Sequence, residues 1–128
     1  MKALRVDHLV LTVTNIEKTV AFYESVLGME KVVFGDNRVA LIFGKQKINL
    51  HQLHHEFEPK AQRVMPGSVD ICFIVDTPSD EVVEHLKRNA VEIIEGPVQR
   101  TGALGAIDSV YFRDPDGNLI EVSTYLDR

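Results

Sequence analysis

The sequence predicts an α+β fold made of two βαβββ modules in tandem. Two observations predict it. The same order of strand and helix patterns occurs twice along the 128 residues, and a polar stretch with prolines separates the two occurrences. The modules cover about residues 1–53 and 68–128, and residues 54–67 form the linker. With 45% apolar residues, a chain of this length can bury one core, so we expect a single domain over residues 1–128.

The first module begins with a nearly continuous apolar run and then changes to helical spacing. Thr14 or Asn15 offers an N-cap, apolar residues then recur at helical spacing, and Gly28 is suited to end the helix. Three β-type runs follow, separated by turns that contain glycine. The predicted elements are a helix at residues 15–27 and strands at 4–13, 29–34, 38–43 and 47–53.

The second module repeats this order. Asp76 or Thr77 would cap its helix, and Pro78 suits the first helical turn. Residues 98–106 contain two glycines and favour a loop with irregular strand character, whereas the Asp-Pro-Asp-Gly run at 114–117 is typical of a tight turn. The predicted elements are a helix at residues 79–89 and strands at 68–75, 91–95, 109–113 and 118–125.

Composition excludes several classes of function. The net charge is −5 and there is no basic stripe, which argues against a nucleic-acid partner. No apolar run approaches the roughly 20 residues of a membrane span, and the first residues lack a signal-peptide pattern. The single cysteine, Cys72, lies in an apolar run and is interpreted as a small hydrophobic residue and not as a nucleophile. We therefore expect a cytoplasmic protein.

Polar residues occupy equivalent places in the two modules. When the strands are aligned, His8 matches Asp70 and Asn49 matches Glu121, and each lies among apolar residues. A water-facing position would explain any one of them, but four polar residues at matched positions favour a shared site. His51 is two residues beyond Asn49, so it faces the same side of its strand.

This set of imidazole and carboxylate groups predicts one divalent metal ion. Zn²⁺, Ni²⁺, Mn²⁺ and Fe²⁺ accept such ligands, and a catalytic metal keeps open positions for substrate or water. The candidate ligands are His8, Asp70, Glu121 and His51. Glu121 or Asp70 is also the candidate catalytic group that moves a proton. A proton-transfer role, or a place in the wall of a cleft, is the alternative for His51.

Three motifs resemble those of the vicinal oxygen chelate superfamily, which includes glyoxalase I, fosfomycin-resistance and bleomycin-resistance proteins and extradiol dioxygenases. They are Val-Asp-His-Leu-Val-Leu-Thr-Val at residues 6–13, Phe-Tyr-Glu-Ser-Val-Leu-Gly-Met at 22–29 and Phe-Arg-Asp-Pro-Asp-Gly-Asn-Leu-Ile-Glu at 112–121. Residues 47–52 and 95–103 look most similar to the group called glyoxalase domain-containing protein 5. That group includes a virulence-associated relative described as a lactoylglutathione lyase.

The resemblance implies that the two modules form a cup around one divalent metal, which the substrate chelates through neighbouring oxygens. By position, His8 matches the first-strand His ligand and Glu121 the last-strand Glu ligand. Asp70 stands where many relatives have a second His, and Asn49 where glyoxalase I has its other Glu. Thr12 replaces the Arg of glutathione-dependent relatives, so the hemithioacetal of methylglyoxal and glutathione should be a poor substrate.

Three residues are candidates for binding the substrate: Arg100, Arg113 and Asn49. Arg100 lies in the predicted loop, from which it could swing over the cleft, and Arg113 lies beside the turn. A guanidinium can bind an anionic group through two hydrogen bonds. The alternative is that each arginine forms a surface ion pair. Asp70 has the same alternative, with Arg5 or Arg113 as its partner.

We predict a divalent-metal-dependent, glyoxalase-like enzyme of the lyase or isomerase type that acts on a small oxygen-chelating substrate. Two alternatives stay open. One is an extradiol-type ring-cleavage dioxygenase that holds Fe²⁺ with His8, His51 and Glu121, and the other is a non-enzymatic resistance protein that binds a drug or metabolite. Open sheet edges and apolar surface, together with the resemblance, also predict a homodimer.

Overall fold

The computed structural model describes residues 1–126 and contains two compact units. The first unit is Met1–Gly67 and the second begins at Ser68. Each has the order βαβββ, which confirms the predicted α+β fold class and its tandem repeat. Residues 54–67, interpreted from sequence as a linker, belong to the first unit.

The first unit contains a four-stranded mixed sheet and one helix. Its elements are β1 (His8–Val13), α1 (Ile16–Leu27), β2 (Glu30–Phe34), β3 (Arg38–Phe43) and β4 (Gln46–Gln52). The strand order is β1-β4-β3-β2, and only the β1–β4 pair is parallel.

The second unit has the same arrangement. Its elements are β5 (Asp70–Ile74), α2 (Ser79–Arg88), β6 (Glu95–Gly102), β7 (Gly105–Arg113) and β8 (Leu119–Tyr125). The strand order is β5-β8-β7-β6, and only β5 and β8 are parallel.

The strand registers confirm the alignment of the two modules. On the parallel pairs, His8 lies opposite Lys47 and Asp70 lies opposite Leu119. Asn49 lies two residues after Lys47 on β4, so it faces the same side of the sheet as His8 and Lys47. Glu121 lies two residues after Leu119 on β8, so it faces the same side as Asp70 and Leu119. The matched positions are therefore structurally equivalent within their own units.

The two helices begin differently. The Asn15 side chain accepts a hydrogen bond of 3.0 Å from the Lys18 backbone N–H, and α1 ends at Gly28 with φ of 64°, as predicted. The predicted Asp76 or Thr77 cap of α2 is wrong. Pro78 precedes that helix, and no side chain caps it. Among residues 1–126, neither helix is long and apolar enough to cross a membrane.

Each helix packs on one face of its own sheet and leaves the other face to the polar residues. Gln52 of β4 marks the helix side, because its amide contacts the backbone where α1 begins. Ile48 and Leu50 point the same way and are buried. Asn49 and His51 alternate with them and point to the opposite face.

The predicted loop at residues 98–106 is wrong, because most of it forms a hairpin of β6 and β7. Val98 pairs with Ser109 and Arg100 pairs with Ile107. The two glycines, Gly102 and Gly105, pair with each other where β6 ends and β7 begins, next to the tip of the hairpin. Pairing between the two strands decides the structure of the residues on either side of the tip. A strand was also predicted at residues 91–95, but β6 begins only at Glu95.

The turn at 114–118 fixes the start of β8. Asp114 accepts hydrogen bonds from the backbone N–H groups of Asp116 and Asn118 and from the Asn118 side-chain amide, at 2.8–3.0 Å. The Asn118 side-chain oxygen in turn accepts from the Val69 N–H at 2.9 Å. This buried network holds the beginning of β8 beside that of β5. It thereby fixes the register of the two strands, in which Glu121 lies opposite Cys72.

Gly96 is required where β6 passes closest to β7. Its φ is 109°, and an added Cβ would overlap the backbone carbonyl oxygen of Ser109. Gly105 also has a positive φ, 143°, but an added Cβ would have open space. We expect Gly96→Ala to lower the free energy of unfolding by about 1–3 kcal/mol more than Gly105→Ala does, since only the former adds a clash to the backbone strain. Urea unfolding measures both, and equal losses would contradict this packing.

Candidate functional site

The predicted site residues fall into two groups, one on each sheet. The first unit contributes His8, Asn49 and His51, and the second contributes Asp70, Glu121, Arg100 and Arg113. Within residues 1–126, no three side chains of the His, Cys, Asp or Glu type form a cluster that could hold a metal ion. The local surroundings of each residue therefore decide what it is suited to do.

His8 is held by the residue that precedes it. Its Nδ1 lies 2.9 Å from Asp7 Oδ2, and its side chain is 46% exposed. The pKa of Asp7 lies below its ordinary value, chiefly because of this hydrogen bond to His8. A carboxylate that binds one ring nitrogen orients the imidazole and leaves Nε2 as the ligand atom, an arrangement common in metal sites. Sequence reasoning missed Asp7, although an acidic residue beside a candidate His is a usable signal.

Glu121 is held by two buried serines. Its Oε2 accepts a hydrogen bond from Ser109 Oγ at 2.6 Å and from Ser123 Oγ at 3.3 Å. The two hydroxyls also contact each other at 2.7 Å, and both serines are almost fully buried. This places the carboxylate in a fixed orientation on the β8 surface. Neither serine was predicted, because a serine in a strand gives little signal until the strand pairing is known.

Cys72 lies opposite Glu121 on the neighbouring strand and is exposed, whereas the apolar run around it suggested burial. Its Sγ is 3.2 Å from Ser123 Oγ. The pKa of the Cys72 thiol is raised, first by desolvation, and the nearby Glu121 and Asp70 carboxylates act in the same direction. The thiol form is therefore favoured, as expected for a cysteine that is not a nucleophile.

Arg100 is held on a strand and not on a mobile loop. Its guanidinium forms an ion pair of 3.1 Å with Glu95 and donates to the Tyr111 hydroxyl at 3.2 Å. Tyr111 lies opposite Glu121 in the β7–β8 register. Desolvation raises the pKa of the Tyr111 hydroxyl, as does the Glu121 charge, while the bond from Arg100 opposes the shift. The hydroxyl of Tyr111 stays protonated and links the Arg100 ion pair to the surroundings of Glu121.

The remaining charged candidates have local partners or lie at the surface. Arg113 donates to the Gly117 carbonyl at 3.3 Å. Arg5 contacts the Lys45 carbonyl and lies 3.8 Å from Asp7. Asp70 is exposed at the start of β5. Arg5 and Arg113, the two arginines considered as partners for Asp70, therefore each contact other groups.

His51 and Asn49 are buried on the polar face of the first sheet with hydrogen-bonding capacity unused. His51 is 2% exposed and Asn49 is 6% exposed. His51 Nδ1 and Asn49 Oδ1 have no hydrogen-bond partner within the described part of the chain. The Arg38 guanidinium is 3.4 Å from His51 Nε2. Burial is the main reason that the pKa of His51 lies below its ordinary value, and the Arg38 charge adds to the effect.

His51 is far along its strand from His8. His51 lies opposite Thr12, whereas His8 lies opposite Lys47, four residues earlier on β4. Four residues correspond to about 13 Å along a strand, and the Arg38 cation beside His51 would repel a divalent ion. This position favours the alternative interpretation of His51 as a cleft residue over its interpretation as a ligand of the same metal as His8.

A cleft of about 390 Å³ lies on this face of the first unit, and we call it the first-unit cleft. Apolar side chains form most of its wall, and Thr12, His51 and Lys60 supply the polar groups. Its full lining is Val10, Thr12, His51, Pro59, Lys60, Ala61 and Val64. The size and composition are those of a small-molecule site.

The outer wall of the first-unit cleft is a segment without regular secondary structure, residues 54–64, which we call the cover segment. Lys60 Nζ lies 3.3 Å from Glu56 and 3.5 Å from Glu58, and Glu56 also accepts from the His54 N–H at 2.7 Å. The hydrogen bond to Glu56 is the main reason that the pKa of Lys60 is raised. These contacts fix Lys60 at the cleft and offset its charge.

Comparison with known proteins agrees with the observed fold. The model of the Glyoxalase/Bleomycin resistance protein/Dioxygenase superfamily matches residues 5–122. Virulence protein STM3117 of Salmonella typhimurium is 61% identical, over 95% of this chain and 85% of its own length. The solved structure of an integron cassette protein from Vibrio cholerae has a TM-score of 0.96 and 64% identity, covering 98% of each chain. A metallothiol transferase, FosB of Staphylococcus epidermidis, is 28% identical over 97% of this chain and 84% of its own length.

Proposed function

We propose that this chain, which belongs to the Glyoxalase/Bleomycin resistance protein/Dioxygenase superfamily, is a divalent-metal-dependent enzyme of the lyase or isomerase type. The proposed substrate is a small molecule that presents neighbouring oxygens to the metal. The observation that carries the proposal is the pairing of His8 Nδ1 with Asp7, which prepares His8 to act as a ligand. The metallothiol transferase among the relatives is consistent with a metal-dependent function.

The proposed ligands are His8 and Glu121. Each is oriented in its own unit by a neighbour, Asp7 for His8 and Ser109 for Glu121. An imidazole and a carboxylate, each fixed by a further hydrogen bond, fit the donor chemistry of Zn²⁺, Ni²⁺, Mn²⁺ or Fe²⁺. Asp70 is exposed on the same sheet face as Glu121 and is proposed as a further ligand or proton carrier.

The chain's own residues would orient the substrate and move a proton. A bound divalent ion would supply Lewis-acid polarisation of a carbonyl or enediol oxygen. Glu121 is proposed to carry the proton, since the hydroxyl groups of two serines hold its carboxylate in one orientation. Tyr111, which stays protonated beside Glu121, and Arg100 behind it would stabilise negative charge on the substrate.

We expect His8→Ala and Glu121→Ala to remove most of the bound metal while the fold is retained. Asp7→Asn should weaken metal affinity by about 10–100-fold, because the amide no longer supports the imidazole as a carboxylate does. Metal content after incubation with Zn²⁺, Ni²⁺, Mn²⁺ or Fe²⁺, measured by inductively coupled plasma mass spectrometry, tests all three variants.

Two exposed residues provide matched controls for this experiment. His55→Ala and Glu84→Ala remove the same side-chain types from exposed positions, in the cover segment and on α2 respectively. Both should keep the metal content of the parent protein. Full metal occupancy in His8→Ala and Glu121→Ala would contradict the ligand assignment.

We also expect the glutathione hemithioacetal of methylglyoxal to be a poor substrate, with kcat/KM below about 10⁴ M⁻¹s⁻¹. Thr12, on β1, is buried and has no charge to pair with a glutathione carboxylate. The metal-loaded protein can be assayed with this hemithioacetal and with smaller α-hydroxycarbonyl compounds. Efficient turnover of the hemithioacetal would contradict the proposed substrate class, and oxygen uptake with catechols would indicate a ring-cleavage dioxygenase instead.

The protein is proposed to act as a homodimer. The strands β1 and β5 lie at sheet edges, and Val10 and Ile74 on them are 44% and 53% exposed. Open edges and exposed apolar side chains favour association with a second copy. Sedimentation equilibrium at micromolar concentration should give twice the chain mass of 14.4 kDa. A monomer over the whole concentration range would contradict the dimer.

A further inference from the structure

An unused hydrogen-bonding group of His51, which lines the first-unit cleft, indicates what the cleft is built to bind. His51 lines this cleft, and its residue is 2% exposed. A buried polar atom without a partner is costly, at about 1–3 kcal/mol, so such atoms in folded proteins are usually satisfied by something. Among the described residues, nothing satisfies His51 Nδ1.

Arg38 determines which kind of group His51 offers. A guanidinium has only donors, so the His51 nitrogen that faces it, Nε2, must be the acceptor. In the neutral ring the proton then lies on Nδ1, which makes Nδ1–H a buried donor. Arg38 is itself fixed, because its guanidinium carbon lies 5.3 Å from the ring centroid of Phe34 and 4.6 Å from that of Phe57.

Asn49 adds a complementary group on the same sheet face. Its Oδ1 is a buried acceptor without a partner among residues 1–126, two residues from His51 on β4. The cleft walls around His51 are mainly apolar, and the Lys60 charge is offset by Glu56. The bound molecule therefore needs an oxygen acceptor for His51 and an apolar body.

We infer that His51 donates its Nδ1–H hydrogen bond to an oxygen of a small molecule in the first-unit cleft, so that the substrate carries a carbonyl or carboxylate oxygen on a compact, largely apolar body. His51 is then a residue that determines specificity, and Arg38 is the residue that positions its tautomer. The inference rests on the proposed function only in identifying this molecule as the substrate. The binding itself does not depend on a metal ion.

Nuclear magnetic resonance of ¹⁵N-histidine-labelled protein tests this inference with simple probes. Benzoate presents a charged acceptor, benzamide a neutral one, salicylate a carboxylate with a neighbouring hydroxyl, and toluene no acceptor. At millimolar concentration, benzoate or benzamide should shift the His51 Nδ1 signal, and toluene should not. No shift of His51 Nδ1 with any acceptor-bearing probe would overturn the inference.

Variants of His51 separate the hydrogen bond from the shape of the ring. His51→Phe keeps a ring but has no donor, so the affinity for the bound probe should fall about tenfold or more. His51→Asn places an amide N–H near the position of Nδ1 and should restore part of that affinity. Equal probe affinity in the parent and in His51→Phe would overturn the inference.

Arg38→Met tests the positioning role and remains informative if His51→Phe does not fold. The methionine can still lie between Phe34 and Phe57 but donates nothing to His51. The ¹⁵N signals should then show loss of the fixed Nδ1–H tautomer, together with weaker probe binding. An unchanged tautomer in Arg38→Met would contradict the role of Arg38.

Metal content, measured on the same samples, distinguishes this inference from the proposed function. His51→Phe should lose probe binding and keep its metal, whereas His8→Ala should lose metal and keep probe binding in the first-unit cleft. Probe binding that disappears in His8→Ala but persists in His51→Phe would overturn the inference and leave the metal assignment intact.

Discussion

The parallel pairing of two strands in each unit is the constraint on which the candidate site depends. In β1–β4 and β5–β8, a strand from the beginning of a unit lies beside the last strand of that unit. Because side chains alternate along a strand, this register alone decides which residues share the polar face. A slip of one residue would turn Asn49 and His51 towards the helix side and bring Ile48 and Leu50 to the polar face. The apolar packing under α1 therefore fixes the position of the polar groups as well.

The repeated architecture was predictable because its signals are local and occur twice. Helical spacing, the Asn15 cap and Gly28 define α1, and the alignment of His8 with Asp70 follows from apolar runs of equal character. The β6–β7 hairpin was not predictable in the same way. Its strands contain glycines at residues 96, 102 and 105, and only pairing with the neighbouring strand shows which of them form the tip.

The candidate site likewise contains residues with a local sequence signal and residues whose role depends on strand pairing. His8 and Glu121 could be proposed from their residue types and matched positions, and Asp7 beside His8 gave a usable signal, whereas the serines that orient Glu121 gave none. Ser109 holds Glu121 from a different strand, and its role appears only when β7 is placed in register with β8. Arg38 is a similar case, since its contact with His51 depends on the β3–β4 pairing. Ser109 and Arg38 act from a different strand, so no local sequence pattern identifies them.

The cover segment has no strand pairing, so the two walls of the first-unit cleft differ in how strongly the fold constrains them. The sheet residues His51 and Thr12 belong to a framework that tolerates little change, because each side chain shares its strand with core residues. The cover segment is held by internal contacts, such as Glu56 with Lys60, and by Phe57, which packs against Arg38 and His51 of the sheet. Apart from Phe57, its sequence can therefore change at small cost in folding. Substitutions in this one wall would thus change the ligand preference of the cleft, while the polar groups on the sheet stay in place.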